Sequence, residues 1–142
     1  MFLVGFPLLI IPFAIYNMVA FLLPGIGWSQ EITRFHMVSG AEWTFTPGEL
    51  LIGLSIVLLF FEMLKATRLS TRTIVDHVLS TLLFVGMIVE FLLVPQAASG
   101  TFFLLLVISF VDVAGGFTIT IRTAQRDITV ESAEDVRPAH SA

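Results

Sequence analysis

Two carboxylates stand inside long apolar runs of this chain, and their presence there needs a chemical account. Asp112 lies in "LLVISFVDVAGGFTITI" (105–121) and Glu90 in "VLSTLLFVGMIVEFLLV" (78–94). Read as membrane helices rising 1.5 Å per residue, these runs place Asp112 about 16 Å below its helix start, near the bilayer midplane, and Glu90 only about 7 Å deep. Loss of hydration favours the neutral form of a carboxyl, so Asp112 is expected to hold its proton at neutral pH. A neutral carboxyl both donates and accepts a hydrogen bond. Two kinds of chemistry fit such acids. They mark a proton or cation path, or they hydrogen-bond inside a helix seam.

Helical spacing selects the partners. Ser109, Asp112, Gly116 and Thr120 follow at three, four and four residues and form one stripe of small and polar side chains, the composition that lets membrane helices approach closely. Gly115 and Gly116 are read as packing positions in that stripe. Asp76, Ser80, Leu83, Met87 and Glu90 form a matching stripe on the preceding helix. With the two stripes packed together, Glu90 reaches Asn17 or Ser55, and Asp112 reaches Ser80, Thr81 or Ser109. No Lys or Arg lies within the apolar cores, so neither acid has an obvious cationic partner.

A second polar group, Glu62, Lys65, Arg68, Arg72, Asp76 and His77, falls within sixteen residues between two apolar runs. Glu62 and Lys65, three apart, can pair on a helix surface, and Asp76 suits the dipole of a first helical turn. The plain reading is a basic collar against anionic headgroups, with the acids as local partners. A partner-docking site, or a quinone-head site built on Asp76 and His77, has the same spacing, and the alternatives stay open.

Other chemistries lack their residues. The chain has no cysteine, which removes disulfides, thiol redox and thiolate metal sites. His36 and His77 fall on opposite sides of the membrane and cannot face one haem iron. His-Glu-x-x-His, a Gly-rich phosphate loop and Gly-x-Ser-x-Gly are absent. His36 near Glu31 and Glu42 reads as a solvated loop histidine rather than a metal ligand. An enzyme is not expected, nor is a metal or cofactor. With a net charge of −4, a nucleic-acid partner is not expected either.

The elements that position these residues follow from composition. The chain is 56% hydrophobic and 13% charged, with a mean hydropathy of +0.96, and about 25% charge is usual for a soluble domain. Four apolar runs have the length of membrane helices, and none alternates like a barrel strand. The expected fold is an all-α integral membrane protein, an antiparallel four-helix transmembrane bundle with helices at about 3–23, 47–67, 74–94 and 101–121. The first run lacks the basic start and cleavage site of a secretory signal, so it is expected to remain.

Lys65, Arg68, Arg72, Arg122 and Arg126 lie on one side of that topology, which places both termini in the cytoplasm and the loop between helices one and two outside. Thr46-Pro47-Gly48-Glu49 is a capping box that starts helix two, and Ser99 offers a cap to helix four. Trp28 and Trp43 flank the outer loop as interfacial anchors. Between them the alternation around Ser39-Gly40 fits a two-stranded hairpin, or equally an irregular segment, because isolated hairpins are marginal. Residues 1–126 then form the transmembrane domain, and 127–142 a mobile acidic cytoplasmic tail.

The chain resembles small bacterial inner-membrane proteins, and that membrane is its expected location. Two functions are carried forward. One is a non-catalytic protein acting by association, an accessory subunit or scaffold with protonated carboxyls in its seams, whose partners are lipid and either another membrane protein or copies of itself. The other is a small oligomeric proton- or cation-coupled transporter or channel using Asp112 and Glu90.

Overall fold

A computed structural model describes residues 5–68 and 71–135. In chain order the elements are α1 (Ile10–Leu22), β1 (Thr33–His36), β2 (Glu42–Phe45), α2 (Pro47–Ala66), α3 (Thr71–Leu93), a 3₁₀ turn (Pro95–Ala97) and α4 (Gly100–Asp135). Three helices, Pro47–Ala66, Thr73–Leu93 and Gly100–Glu134, are long and apolar enough to cross a membrane. The molecule is consistent with a helical membrane protein.

The first helix is shorter than its sequence run. At 13 residues it spans about 20 Å, against about 30 Å of hydrocarbon. Two prolines explain the late start. Pro7 biases Phe6 away from helical geometry. Pro12 is tolerated only in a first turn, where its missing N–H would have no intrahelical partner, and a start at Ile10 puts it there. Residues 5–9 therefore run as turns, with Pro7, Leu8 and Leu9 buried.

Local chemistry sets the other boundaries. Thr46 Oγ1 accepts from Glu49 N at 3.3 Å while Glu49 Oε2 accepts from Thr46 N at 3.0 Å, which closes the capping box of α2. Ser99 Oγ accepts from Phe102 N at 3.1 Å and caps α4. The final helix continues to Asp135, so the segment expected as a tail from 127 is helical that far. No Pro or Gly falls between Arg122 and Asp135 to stop it. The remainder of that tail, 136–142, lies outside the described residues.

The loop before α2 forms the hairpin. Its strands are antiparallel, with Phe35 opposite Trp43 and His36 opposite Glu42, and the Phe35 and Trp43 rings stack at 5.4 Å. Such cross-strand aromatic pairs stabilise a sheet. Gly40, at φ 88°, supplies the left-handed residue of the turn.

The helix α4 packs chiefly on α2 and α3, with α1 against α2 and, more lightly, α4. The seam divides by chemistry. Towards the hairpin end Tyr16, Leu51, Met87, Ala97, Phe102 and Leu105 form an apolar cluster. Towards the α2–α3 connection the buried polar residues include Glu62, Thr73, Asp76, His77, Ser80 and Asp112.

Candidate functional site

The polar end of the seam is assembled from four segments. On α2 the positions Gly48, Leu51, Ser55, Glu62 and Ala66 form the buried face, which turns Glu62 inward although it sits near the helix end. Lys65 follows it in. Its Nζ lies 3.0 Å from Glu62 Oε1, 3.0 Å from Asp76 Oδ2 and 2.6 Å from the Phe6 carbonyl. An ammonium has three donors, and these contacts use all three. Glu62 Oε1 also accepts from the Leu8 backbone N–H. The non-helical segment 5–9 thus has two backbone groups satisfied by the α2 ion pair, as buried irregular backbone requires.

On α4, Asp112 is 5% exposed. Ser80, Glu62, Asp76 and Lys65 lie within electrostatic reach of its carboxyl. Lys65 itself pairs with Glu62 and Asp76, although it lies past the apolar core of its own run, where a lysine usually reaches outward to the interface. Arg68 is exposed, its carbonyl accepting from Thr73 Oγ1 at 2.6 Å. The side chain of Arg72 lies outside the described residues.

His77 is held on three sides. Its Nε2 lies 2.7 Å from Thr120 Oγ1, and Thr120 in turn donates to the Ala66 carbonyl at 3.3 Å. Because the Thr120 proton goes to that carbonyl, the histidine must be the donor, with its proton on Nε2. The ring stacks on Phe117 at 5.1 Å. It also lies where a side chain on Gly116 would be, since a Cβ there would meet His77 Cε1 at 2.8 Å. Gly115 makes the same allowance for Met63, at 2.7 Å from Cε. Asp76 and His77 thus face different partners, Lys65 and Thr120.

The second acid lies elsewhere. Glu90 Oε2 is 3.4 Å from Asn17 Nδ2, which also donates to the Phe13 carbonyl at 3.1 Å. Both are half-buried. Of the partners open to the two acids on the sequence, Glu90 takes Asn17, Ser80 lies within reach of Asp112, and Ser55 donates to its own helix at Leu51 O, 2.7 Å away. Among the described residues two buried side-chain atoms, Asp76 Oδ1 and Ser109 Oγ, have no hydrogen-bond partner.

Beside the Glu90–Asn17 pair lies the apolar layer. Tyr16, fully buried, donates from its hydroxyl to the Gln96 carbonyl at 2.8 Å and lies 2.7 Å from Ser99 Oγ. Its ring stacks on Trp28 at 4.6 Å and meets Phe102 edge-on at 4.9 Å. Nothing in the spacing singled out Tyr16, although it is the sole tyrosine of an apolar chain. It also placed Trp28 as an interfacial anchor, whereas Trp28 is half-buried against Tyr16. Trp43 is exposed on the hairpin and donates to Glu49 Oε1 at 3.3 Å.

At the hairpin itself Arg34 lies 2.8 Å from Glu31 and 3.1 Å from Glu42. The hydrogen bond that Arg34 donates to Glu31, with the Glu31 charge and the hydrogen bond to Glu42, raises the Arg34 pKa above its ordinary value. These carboxylates are thus occupied by arginine beside His36. Among the described residues no group of three or more His, Asp or Glu is placed to hold a metal ion.

No protein family, curated protein or solved structure matches this chain. Function must therefore be argued from the geometry alone.

Proposed function

We propose that this is a small multi-pass membrane protein that acts by association, as an accessory subunit or scaffold in a bacterial inner membrane. All four apolar runs belong to its membrane domain, in this reading, with the hairpin outside and both termini in the cytoplasm. The basic residues Lys65, Arg68, Arg122 and Arg126 near the ends of α2 and within α4 support that orientation.

The observation that carries the reading is the filling of the seam. Its polar end is cross-linked by Lys65, and its other end is closed by Tyr16, Met87, Phe102 and Leu105, each at most 3% exposed. A transport path needs polar groups along its whole length, and this layer interrupts one. What is left for function is the outer surface. The three long spans bury only 22%, 22% and 28% of their most apolar windows within the chain, and the rest faces lipid or a partner. The hairpin adds exposed Phe35, Met37, Val38 and Trp43 on the other side.

One observation favours the second reading, a proton- or cation-coupled carrier. Two carboxyls, those of Glu62 and Asp76, share one lysine, and a third, Asp112, is buried in the same end of the seam. Glu90 does not join them, because it pairs with Asn17 on α1. Proton and sodium flux into vesicles reconstituted with the purified protein separates the two. Association predicts flux equal to that of empty vesicles. A flux that Asp112→Asn abolishes would replace it with the carrier.

A further inference from the structure

We propose that the cleft between α1 and the first half of α2 is a binding site for one aminophospholipid, with an acyl chain between Ile15 and Leu54 and the headgroup amine at Glu31. Such a site requires the helices to lie in a membrane and does not require a second polypeptide.

The cleft encloses about 500 Å³, within the roughly 300–1,000 Å³ usual for small-molecule sites. Its walls are Ile15 and Val19 of α1 and Leu50 and Leu54 of α2, and the intervening loop adds Ile26 and Ile32. Among the described residues that line it, only Gln30 and Glu31 are polar. Leu50, Leu54, Ile26 and Ile32 are exposed, so the cleft opens to the surroundings of the chain. Its outline is fixed from behind. Trp28 stacks on Tyr16 and its carbonyl accepts from Gly48 N at 3.0 Å, while Ile32 N donates to Phe45 O at 2.8 Å. These contacts hold residues 28–32 beside the start of α2, and Leu54 lies about 10 Å further along that helix. The cleft is therefore polar at one end and apolar at the other, which is the polarity of an amphiphile.

Apolar walls give water too few partners to hold it, and a void beside them forfeits dispersion contacts. A hydrocarbon chain restores those contacts. Lipid tails are as apolar as leucine, so filling the cleft does not choose among lipids. The choice falls to the polar end. There Arg34 lies 2.8 Å from Glu31 Oε2 and 3.1 Å from Glu42 Oε2. Two carboxylates on one guanidinium leave one negative charge, and Glu31 Oε1 remains to accept from a donor that arrives with the ligand. Gln30 supplies the opposite chemistry. Its Oε1 accepts from Gly27 N at 3.3 Å, which leaves the amide N–H groups to donate. A negative acceptor beside a neutral donor matches an ammonium next to a phosphate or ester oxygen, the polar end of an aminophospholipid. An anionic glycerol headgroup brings no cation to Glu31.

The test is native mass spectrometry of the full chain released from dodecyl maltoside micelles. The micelles carry equal amounts of phosphatidylethanolamine and phosphatidylglycerol with the same acyl chains. The expected result is one phosphatidylethanolamine per chain, retained several-fold over phosphatidylglycerol. Leu54→Trp, which fills the cleft, should lower that adduct several-fold, and Val57→Trp, exposed on the same helix outside the cleft, should keep it. Glu31→Gln should keep one lipid and lose the preference. Equal retention of the two lipids, or a preference that survives Glu31→Gln, overturns the headgroup assignment. A chain that retains no phospholipid, or an adduct unchanged in Leu54→Trp, overturns the site. A second measurement needs no variant: phosphatidylethanolamine with a diazirine in its acyl chain is photolysed with the unaltered chain. Labelling on α1 and the first half of α2 is expected, and labelling mainly on α3 or α4 overturns the cleft. Absence of a second polypeptide would remove association and leave this lipid in place.

Discussion

Lys65 Nζ lies 3.0 Å from Asp76 Oδ2, and that contact joins α2 to α3 across the polar end of the seam. With Glu62 and the Phe6 carbonyl on the same nitrogen, one side chain holds three segments. Its side chain is 15% exposed and those of Glu62 and Asp76 are 3% and 6%. Removing one partner of a buried pair costs about 3–5 kcal/mol, because the other charge is left behind. Lys65→Met should therefore lower the thermal unfolding midpoint in mild detergent sharply. Adding Glu62→Gln and Asp76→Asn to Lys65→Met should restore much of the loss, since no uncompensated charge then remains at Lys65's site. A triple variant no better than Lys65→Met would show that the ion pairs are not what holds these segments.

The two adjacent glycines should differ. An Ala methyl at Gly116 collides with His77, whose ring is fixed by Thr120 and Phe117. At Gly115 it meets the end of Met63, a flexible thioether that can swing away. Overpacking a rigid site costs about 1–3 kcal/mol. Gly116→Ala should thus lower the unfolding midpoint more than Gly115→Ala. Equal effects would place His77 elsewhere.

Tyr16→Phe keeps the aromatic packing and deletes one hydroxyl. The Gln96 carbonyl loses its donor and Ser99 one of its two partners, a part-buried contact whose net worth is about 0.5–1.5 kcal/mol. The variant should unfold at a lower temperature, while in a Trp43→Phe background the Trp28 fluorescence spectrum stays close to that of the same background with Tyr16. A shifted Trp28 spectrum would mean that the hydroxyl positions the ring rather than only bonding to the turn.

What the sequence made legible was local. The capping box Thr46–Glu49 needs only four residues to be read, and the apolar runs behind α2, α3 and α4 are long enough to declare helices by solvent alone. Tertiary choices were not legible. The start of α1 depends on where Pro12 can be tolerated, and Pro7 and Pro12 inside one apolar run do not say which end gives way. Lys65 faces inward because Glu62 and Asp76 meet it, a relation between helices that spacing within one helix does not contain. Trp28 lies on Tyr16 for the same kind of reason. The hairpin stood level with an irregular loop until the Phe35–Trp43 pair gave it cross-strand packing.

Topology can be checked on a chain without background thiols. Single cysteines at Ser39 in the hairpin turn and at Ser132 near the exposed end of α4 should label from opposite sides of intact cells. Position 39 should react with an impermeant maleimide at once, and position 132 only after permeabilisation. Both reacting from outside would mean an even number of crossings between positions 39 and 132 instead of three, and would remove the four-span reading.

The central claim is association, and the particle itself is its most direct test. The protein should be purified from its native membrane in mild detergent, and the mass and composition of the complex measured. The account predicts a stoichiometric second polypeptide bound to the 15.7 kDa chain. A particle containing this chain alone, whether one copy or a closed ring of several, would contradict it.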